Sequence, residues 1–180
     1  MADDAPQAAG LPLAGLGAGI AAAPRLTDGA PLRRLPDWEH RLARWINQAQ
    51  RRRWQPGAWD CCMAPCEAVR EMTGVDPGAR VRGRYTDMPG AAYTVIRLHY
   101  DAGIRAFEDA VAAEWVHHGL VGWQRVAQAR RGDVVAFDQP PPHGVTWGIV
   151  DLTGERFVAA GRDGLMWGPV AKCRRAWAVG

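Results

Sequence analysis

Apolar residues recur at helical spacing through the middle of the chain and give way to short β-type runs from Asp133 onward. Trp38, Leu42, Trp45, Ile46 and Ala49 fall on one face and predict an amphipathic helix, with Asp37 placed to cap its start. A second helix follows Asp60 and ends at Met72-Thr73-Gly74, where the glycine supplies a left-handed cap. A third starts near Pro89 and carries Ala92, Val95, Ile96 and Leu98; a fourth aligns Ile104, Phe107, Val111 and Trp115 and stops at Gly119. Residues 133–137, 147–152, 156–160, 165–167 and 175–179 are β-type runs separated by Gly, Pro and Asp. Helices first and strands afterwards predict an α+β domain, N-terminal helices packed on a small antiparallel sheet. No internal repeat interrupts this order.

The start of the chain has a different texture. Residues 5–24 carry no charge and consist mainly of Ala, Gly, Leu and Pro. Asp3 and Asp4 occupy the place where a secretion signal needs positive charge, and five Gly or Pro residues from Gly10 to Gly19 make a poor membrane-spanning helix. Residues 1–34 therefore read as an extended arm ahead of a domain over 35–180. A low-complexity arm has little reason to order alone, so a binding partner is expected to hold it.

Composition narrows the function classes. With 180 residues, 48% hydrophobic and 23% charged, the chain fits one globular domain plus the arm. A net charge of +3 is too small to argue for nucleic acid, and no base-reading or stacking motif accompanies it. Lys172 is the single lysine among 22 basic residues, so positive charge is almost wholly guanidinium. Seven arginines against Asp37 and Glu39 within residues 33–53 read as the solvated face of the first helix, ahead of a phosphate-binding site. Most of the nine tryptophans sit at periodic positions, which favours core packing over sugar stacking.

Cys61, Cys62, Cys66 and Cys173 lack the spacing of a disulfide framework and the paired short loops of a zinc or iron–sulfur site, so free thiols without a cofactor are expected. Cys61 directly follows Asp60. A thiol at a helix start meets the positive end of the dipole, which stabilises a thiolate, and a histidine from a later strand completes a nucleophile–base pair. The competing reading is a buried, inert cysteine. His117 and His118 end an apolar helix and read as dipole-compensating residues; His40 belongs to the basic helix, and His99 has no acidic neighbour in sequence. Arg131-Gly132-Asp133 reads as a turn that leads into a strand.

The order Trp54-x-Pro-Gly-x-Trp59-Asp60-Cys61, then Met72-Thr73-Gly74-Val75-Asp76-Pro77, Arg82-Gly83-Arg84-Tyr85, Arg131-Gly132-Asp133-Val134-Val135 and Ala176-Trp177-Ala178-Val179 resembles the phage-tail branch of the NlpC-type, papain-like cell-wall cysteine peptidases. The resemblance covers roughly residues 35–180. It implies a papain-like NlpC-type fold, Cys61 at the nucleophile position, Gly132-Asp133 at the turn into the first strand, and a place at the tail tip of a siphophage, prophage or gene-transfer particle. The stretch that matches the family's His-Val-Gly reads Thr146-Trp147-Gly148, which puts Thr146 where the base histidine is expected. Threonine accepts no proton near neutral pH, and loss of a general base removes ~10²-fold or more of the rate. His143, three residues earlier in a Pro-rich loop, is the replacement candidate. Pro65 interrupts the helix that Asp60 would cap, since it lacks the N–H that bonds the Cys61 carbonyl.

Two functions follow from the resemblance. In one, a tail-tip subunit keeps the peptidase fold and uses its surface and the arm to dock on the tail hub, central fibre or other tail-tip proteins. In the other, an active murein amidase or endopeptidase uses Cys61 with His143 as base and N–H groups at the helix start as oxyanion donors. Both expect the Cys61 thiol at the mouth of a cleft between a helix end and the sheet.

Overall fold

The computed structural model describes residues 31–140 and 144–180. The arm read over residues 1–34 lies outside them up to residue 30, and so does His143. Helices α1 (Trp38–Ala49), α2 (Met63–Thr73), α3 (Met88–Leu98) and α4 (Phe107–His117) precede strands β1 (Val121–Gly122), β2 (Val134–Gln139), β3 (Gly144–Val150), β4 (Arg156–Gly161), β5 (Gly164–Pro169) and β6 (Arg175–Ala178). The six strands form one antiparallel sheet in the order β1-β6-β2-β3-β4-β5. The α+β class expected from the pattern is the one observed. Among the described residues, no helix is long and apolar enough to cross a membrane.

Alternation along the strands gives the sheet two covered faces. Val134, Ala136, Trp147, Ile149, Val158 and Trp177 meet Leu42, Trp45, Val69 and Met72 in the main core. Val135, Phe137, Val150, Phe157 and Ala176 point the other way into a smaller cluster, where the rings of Phe137 and Phe157 stack 4.1 Å apart. Burial on both faces explains why β2 and β3 read as continuous apolar runs. β3 starts at Gly144, three residues before the expected run, because Gly144 and Val145 still pair with Gln139 and Asp138. The two residues of β1 are too few to leave a periodic signal.

The end of α2 and the start of α3 follow local chemistry, and the start of α1 does not. Gly74 caps α2 at φ 80°, its N–H bonded to the Arg70 carbonyl, and Asp87 accepts from the Gly90 N–H at 2.7 Å to start α3. Asp37 does not cap α1 with its side chain. Its backbone, at φ −101° and ψ 22°, is not the extended form that aims a carboxylate at the first N–H groups, and Arg41 takes it at 2.7 Å. The arginine run is also not solvated throughout. Arg52 pairs with Glu67 at 2.6 Å and lies 3.8 Å over the Trp59 ring, while Arg44 reaches Glu71 at 3.3 Å, so guanidiniums join α1 to α2.

Asp133, buried ahead of β2, fastens the two ends of the domain. Its carboxylate accepts from Arg34 Nη2 at 2.8 Å, Trp123 Nε1 at 2.8 Å, the Arg130 N–H at 2.9 Å and the Val179 N–H at 3.1 Å. Arg34 Nε donates to the Val179 carbonyl as well. Gly132, at φ 79°, lets this turn press on α2: a Cβ there would stand 2.9 Å from Met72 Sδ and 3.0 Å from the Trp38 ring.

Trp147 is fully buried and meets Phe107 edge-on at 5.5 Å, whereas Trp167 on β5 is 42% exposed. Trp147→Ala should cost ~3–5 kcal/mol and Trp167→Ala less than ~1 kcal/mol in urea unfolding. Equal losses would mean the sheet faces are assigned wrongly.

Candidate functional site

The start of α2 is built around one buried carboxylate. Gln55 and Trp59 exchange backbone hydrogen bonds of 2.8 and 2.7 Å, closing a turn that needs Gly57 at φ 77°. A Cβ on Gly57 would come within 2.3 Å of the Tyr85 carbonyl oxygen, so only glycine fits. The turn delivers Asp60 with no solvent exposure. Asp60 Oδ1 accepts from the N–H groups of Cys62 at 2.8 Å and Met63 at 2.9 Å; Oδ2 accepts from the Gly57 N–H and the Tyr85 hydroxyl, both at 2.7 Å. The Asp60 carbonyl accepts from Ala64 N–H at 3.0 Å. Asp60 thus does the work of an N-cap, while regular helix begins at Met63. The later start fits Pro65, which denies the Cys61 carbonyl its helical partner.

Cys61 follows this carboxylate but does not stand at a cleft mouth, as expected above. Its side chain is 4% exposed and belongs to the main core, because Gly57 and Tyr85 fold the 54–59 turn down over the helix start. The hollow beside this end of α2 measures about 20 Å³, room for one water, and is lined by Cys62, Met63, Cys66, Val95, Val111 and Glu114 among others. Substrate clefts run to ~300 Å³ and more. The hydrogen bond with the Cys61 sulfur, then burial, pushes the Cys62 thiol well up, and burial does the same for Cys66. Burial also raises the Tyr85 hydroxyl, which stays a donor to Asp60.

Ligand-type atoms of Asp60, Cys61 and Cys62 lie within 4.8 Å of one another. A cation there would compete with the four hydrogen bonds that fill the Asp60 oxygens. The N–H groups of Cys62 and Met63, the natural oxyanion donors of a helix start, are spent on the same carboxylate.

Thr146 is not brought to Cys61. It pairs with Phe137 across β2 and β3 and so shares the sheet face of the smaller cluster, opposite the helices; Trp147 takes the helix-facing place. Thr146 Oγ1 accepts from Gln139 Nε2 at 3.1 Å, and the residue is 2% exposed.

Sequence reasoning missed two features. Tyr85 belongs to a quoted motif, but its bond to Asp60 spans 25 residues and leaves no local signal. The other is Glu114 on α4, which gathers His99 Nε2 at 2.7 Å, His118 Nε2 at 3.2 Å and Arg80 at 3.3 Å. His99 thus has an acidic neighbour in space, and His118 serves that carboxylate as well as the helix end. Burial raises the Glu114 carboxyl, but the His118 hydrogen bond, the Arg80 charge and the His99 bond outweigh it and hold the group below its ordinary range.

The sequence profile of the family described as Domain of unknown function (DUF6950) matches residues 33–179. The α+β domain described above therefore belongs to that family, which spans nearly all of it. No curated protein matches the chain.

Two measurements probe these carboxylates. Tyr85→Phe leaves buried Asp60 one donor short and should cost ~1–3 kcal/mol in chemical unfolding; an unchanged midpoint would remove Tyr85 from the anchor. A depressed native carboxyl adds stability that is complete above its unfolded value and lost as pH falls through the native one. Glu114→Gln should therefore flatten the acid limb of unfolding midpoint against pH, and a limb as steep as the parent's would contradict the Glu114 assignment.

Proposed function

We propose that the chain is a tail-tip component of a siphophage, prophage or gene-transfer particle: a papain-like domain of NlpC type that docks on the tail hub and no longer hydrolyses murein. Made in the bacterial cytoplasm, it becomes part of the virion, and of the arm read over residues 1–34 the part ahead of Pro31 engages the hub, central fibre or a neighbouring tail-tip protein, since Leu32 and Arg34 pack into the domain. Support for the peptidase ancestry is the motif order together with an Asp60-Cys61 helix start that packs on an antiparallel sheet entered through Gly132-Asp133.

The observation that carries the loss of chemistry is the 4% exposure of Cys61 behind a carboxylate that has taken the N–H groups of Cys62 and Met63. This departs from the cleft-mouth thiol expected of both readings, so the ancestry rests on motif order and topology alone. Cysteine hydrolysis needs a reachable thiolate, a base within hydrogen-bond reach and free oxyanion donors. A core thiol is not a reachable nucleophile, the N–H groups of Cys62 and Met63 are taken by Asp60, and Thr146, at the position where the base was expected, faces away.

Deletion of residues 1–30 should leave the domain folded and block its incorporation into particles, as read by immunoblot of purified virions. Cys61→Ala should leave clearing of a peptidoglycan gel at the parent level, and iodoacetamide should label Cys61 only on unfolding. Loss of clearing in Cys61→Ala, with rapid native labelling, would instead establish the murein peptidase with His143 as base. Normal incorporation of the shortened chain would overturn the docking role.

A further inference from the structure

A second hollow lies at the opposite end of α2. Arg34, Trp38, Arg130, Arg131, Thr153 and Gly154 line it, and it holds about 340 Å³, within the ~300–1,000 Å³ of small-ligand sites. Arg34 and Trp38, which line it, also meet the Gly132 turn beside Met72, eleven residues on from Cys61, or roughly 16 Å at 1.5 Å per residue. It is therefore separate from the helix start discussed above, and nothing about it rests on the tail-tip reading.

The charges around this hollow do not balance. Three arginines line it, and the carboxylates bonded to its lining residues are Asp133, Glu39 and Asp151, the last already paired with Arg156. Asp133 already accepts four hydrogen bonds, from Arg34, Trp123, Arg130 N–H and Val179 N–H, so its oxygens have nothing left for the Arg130 or Arg131 side chains. Glu39 meets Arg131 at 2.9 Å with both side chains about half exposed, a pair worth ~0–1 kcal/mol that a better anion can displace. Arg130 rests 5.5 Å from the Trp123 ring, and among the described residues no carboxylate lies within ion-pair distance of it.

Arg34 differs from the other two. Its Nη1 donates to the Arg131 carbonyl at 2.7 Å, its Nη2 to Asp133, and its guanidinium lies 4.1 Å over the Trp38 ring, so it is a fixed charge. Burial, and after it the repulsion of Arg131 and Arg130, lowers its pKa despite the Asp133 contact. Guanidiniums held close enough to repel one another store electrostatic work that a bound anion releases.

We propose that this hollow binds a phosphate group, free or on a small phosphorylated ligand, gripped by the Arg130 and Arg131 forks with Arg34 as the fixed third charge behind them. Phosphate suits the site better than carboxylate, because a phosphate dianion carries more charge and a third terminal oxygen to share among several guanidiniums. The Trp38 ring gives an apolar wall for the carbon portion of an ester.

Isothermal titration of the full chain at low ionic strength tests this with inorganic phosphate, glucose 1-phosphate and acetate. Phosphate should bind saturably and at least ~10-fold more tightly than acetate, in line with the advantage of charge-assisted contacts. The double variant Arg130→Gln/Arg131→Gln, at two exposed positions, should keep the parent circular dichroism and bind phosphate ~10-fold or more weakly, whereas Arg97→Gln on α3 should bind as the parent does. Tighter binding of glucose 1-phosphate identifies a phosphorylated small molecule as the occupant; equal or weaker binding identifies free phosphate. Absence of saturable binding by the parent chain, acetate as tight as phosphate, or a double variant indistinguishable from the parent would each overturn the assignment.

Discussion

A buried carboxylate that accepts four hydrogen bonds holds the helix side of this domain together. Asp60 collects donors from the 54–57 turn, from the first turn of α2 and from Tyr85, and the turn and the Tyr85 segment are joined further by the Gly83 N–H to the Gly57 carbonyl at 2.9 Å. A buried carboxyl group is tolerable only when its oxygens find partners, so each of those segments is fixed by the requirement to supply a donor. The same requirement bears on chemistry. Donors committed to this carboxylate cannot also stabilise an oxyanion that develops on a substrate, and a turn tied down over the helix start covers the sulfur beside it.

Asp133 and Glu114 repeat the solution elsewhere with different partners. Asp133 uses an arginine, an indole and two backbone N–H groups to join the chain ahead of α1 to the end of β6. Glu114 uses two imidazoles and an arginine to tie α4 to the end of α3 and the 77–84 segment. A composition almost without lysine fits this pattern, since a planar guanidinium can pair with a carboxylate and cover an aromatic ring together, as Arg34 and Arg52 do.

The α+β order was legible because it depends on local signals, which α1 and α4 carry in their apolar faces and α2 in its Gly74 cap. What depends on long-range contact was not. The dipeptide Asp60-Cys61 reports a helix start but not what folds over it; that follows from Gly57 and Tyr85, whose meeting is a tertiary event. Thr146 illustrates parity: the motif match fixed its position in β3, but which sheet face it occupies depends on the register with Phe137, and a shift of one residue exchanges the faces. Strands covered on both sides carry no alternation from which to read that parity.

The Arg34 contacts have a mechanical meaning. Tension applied to the chain ahead of Pro31 arrives within a few residues at a side chain bonded to Asp133, Val179 and the Arg131 carbonyl. The load therefore passes to the junction of β2 and β6, interior strands of the sheet, instead of peeling α1 away from α2. A domain towed by its leading segment would resist in shear, several bonds at a time, and would yield only when the middle of its sheet gave way.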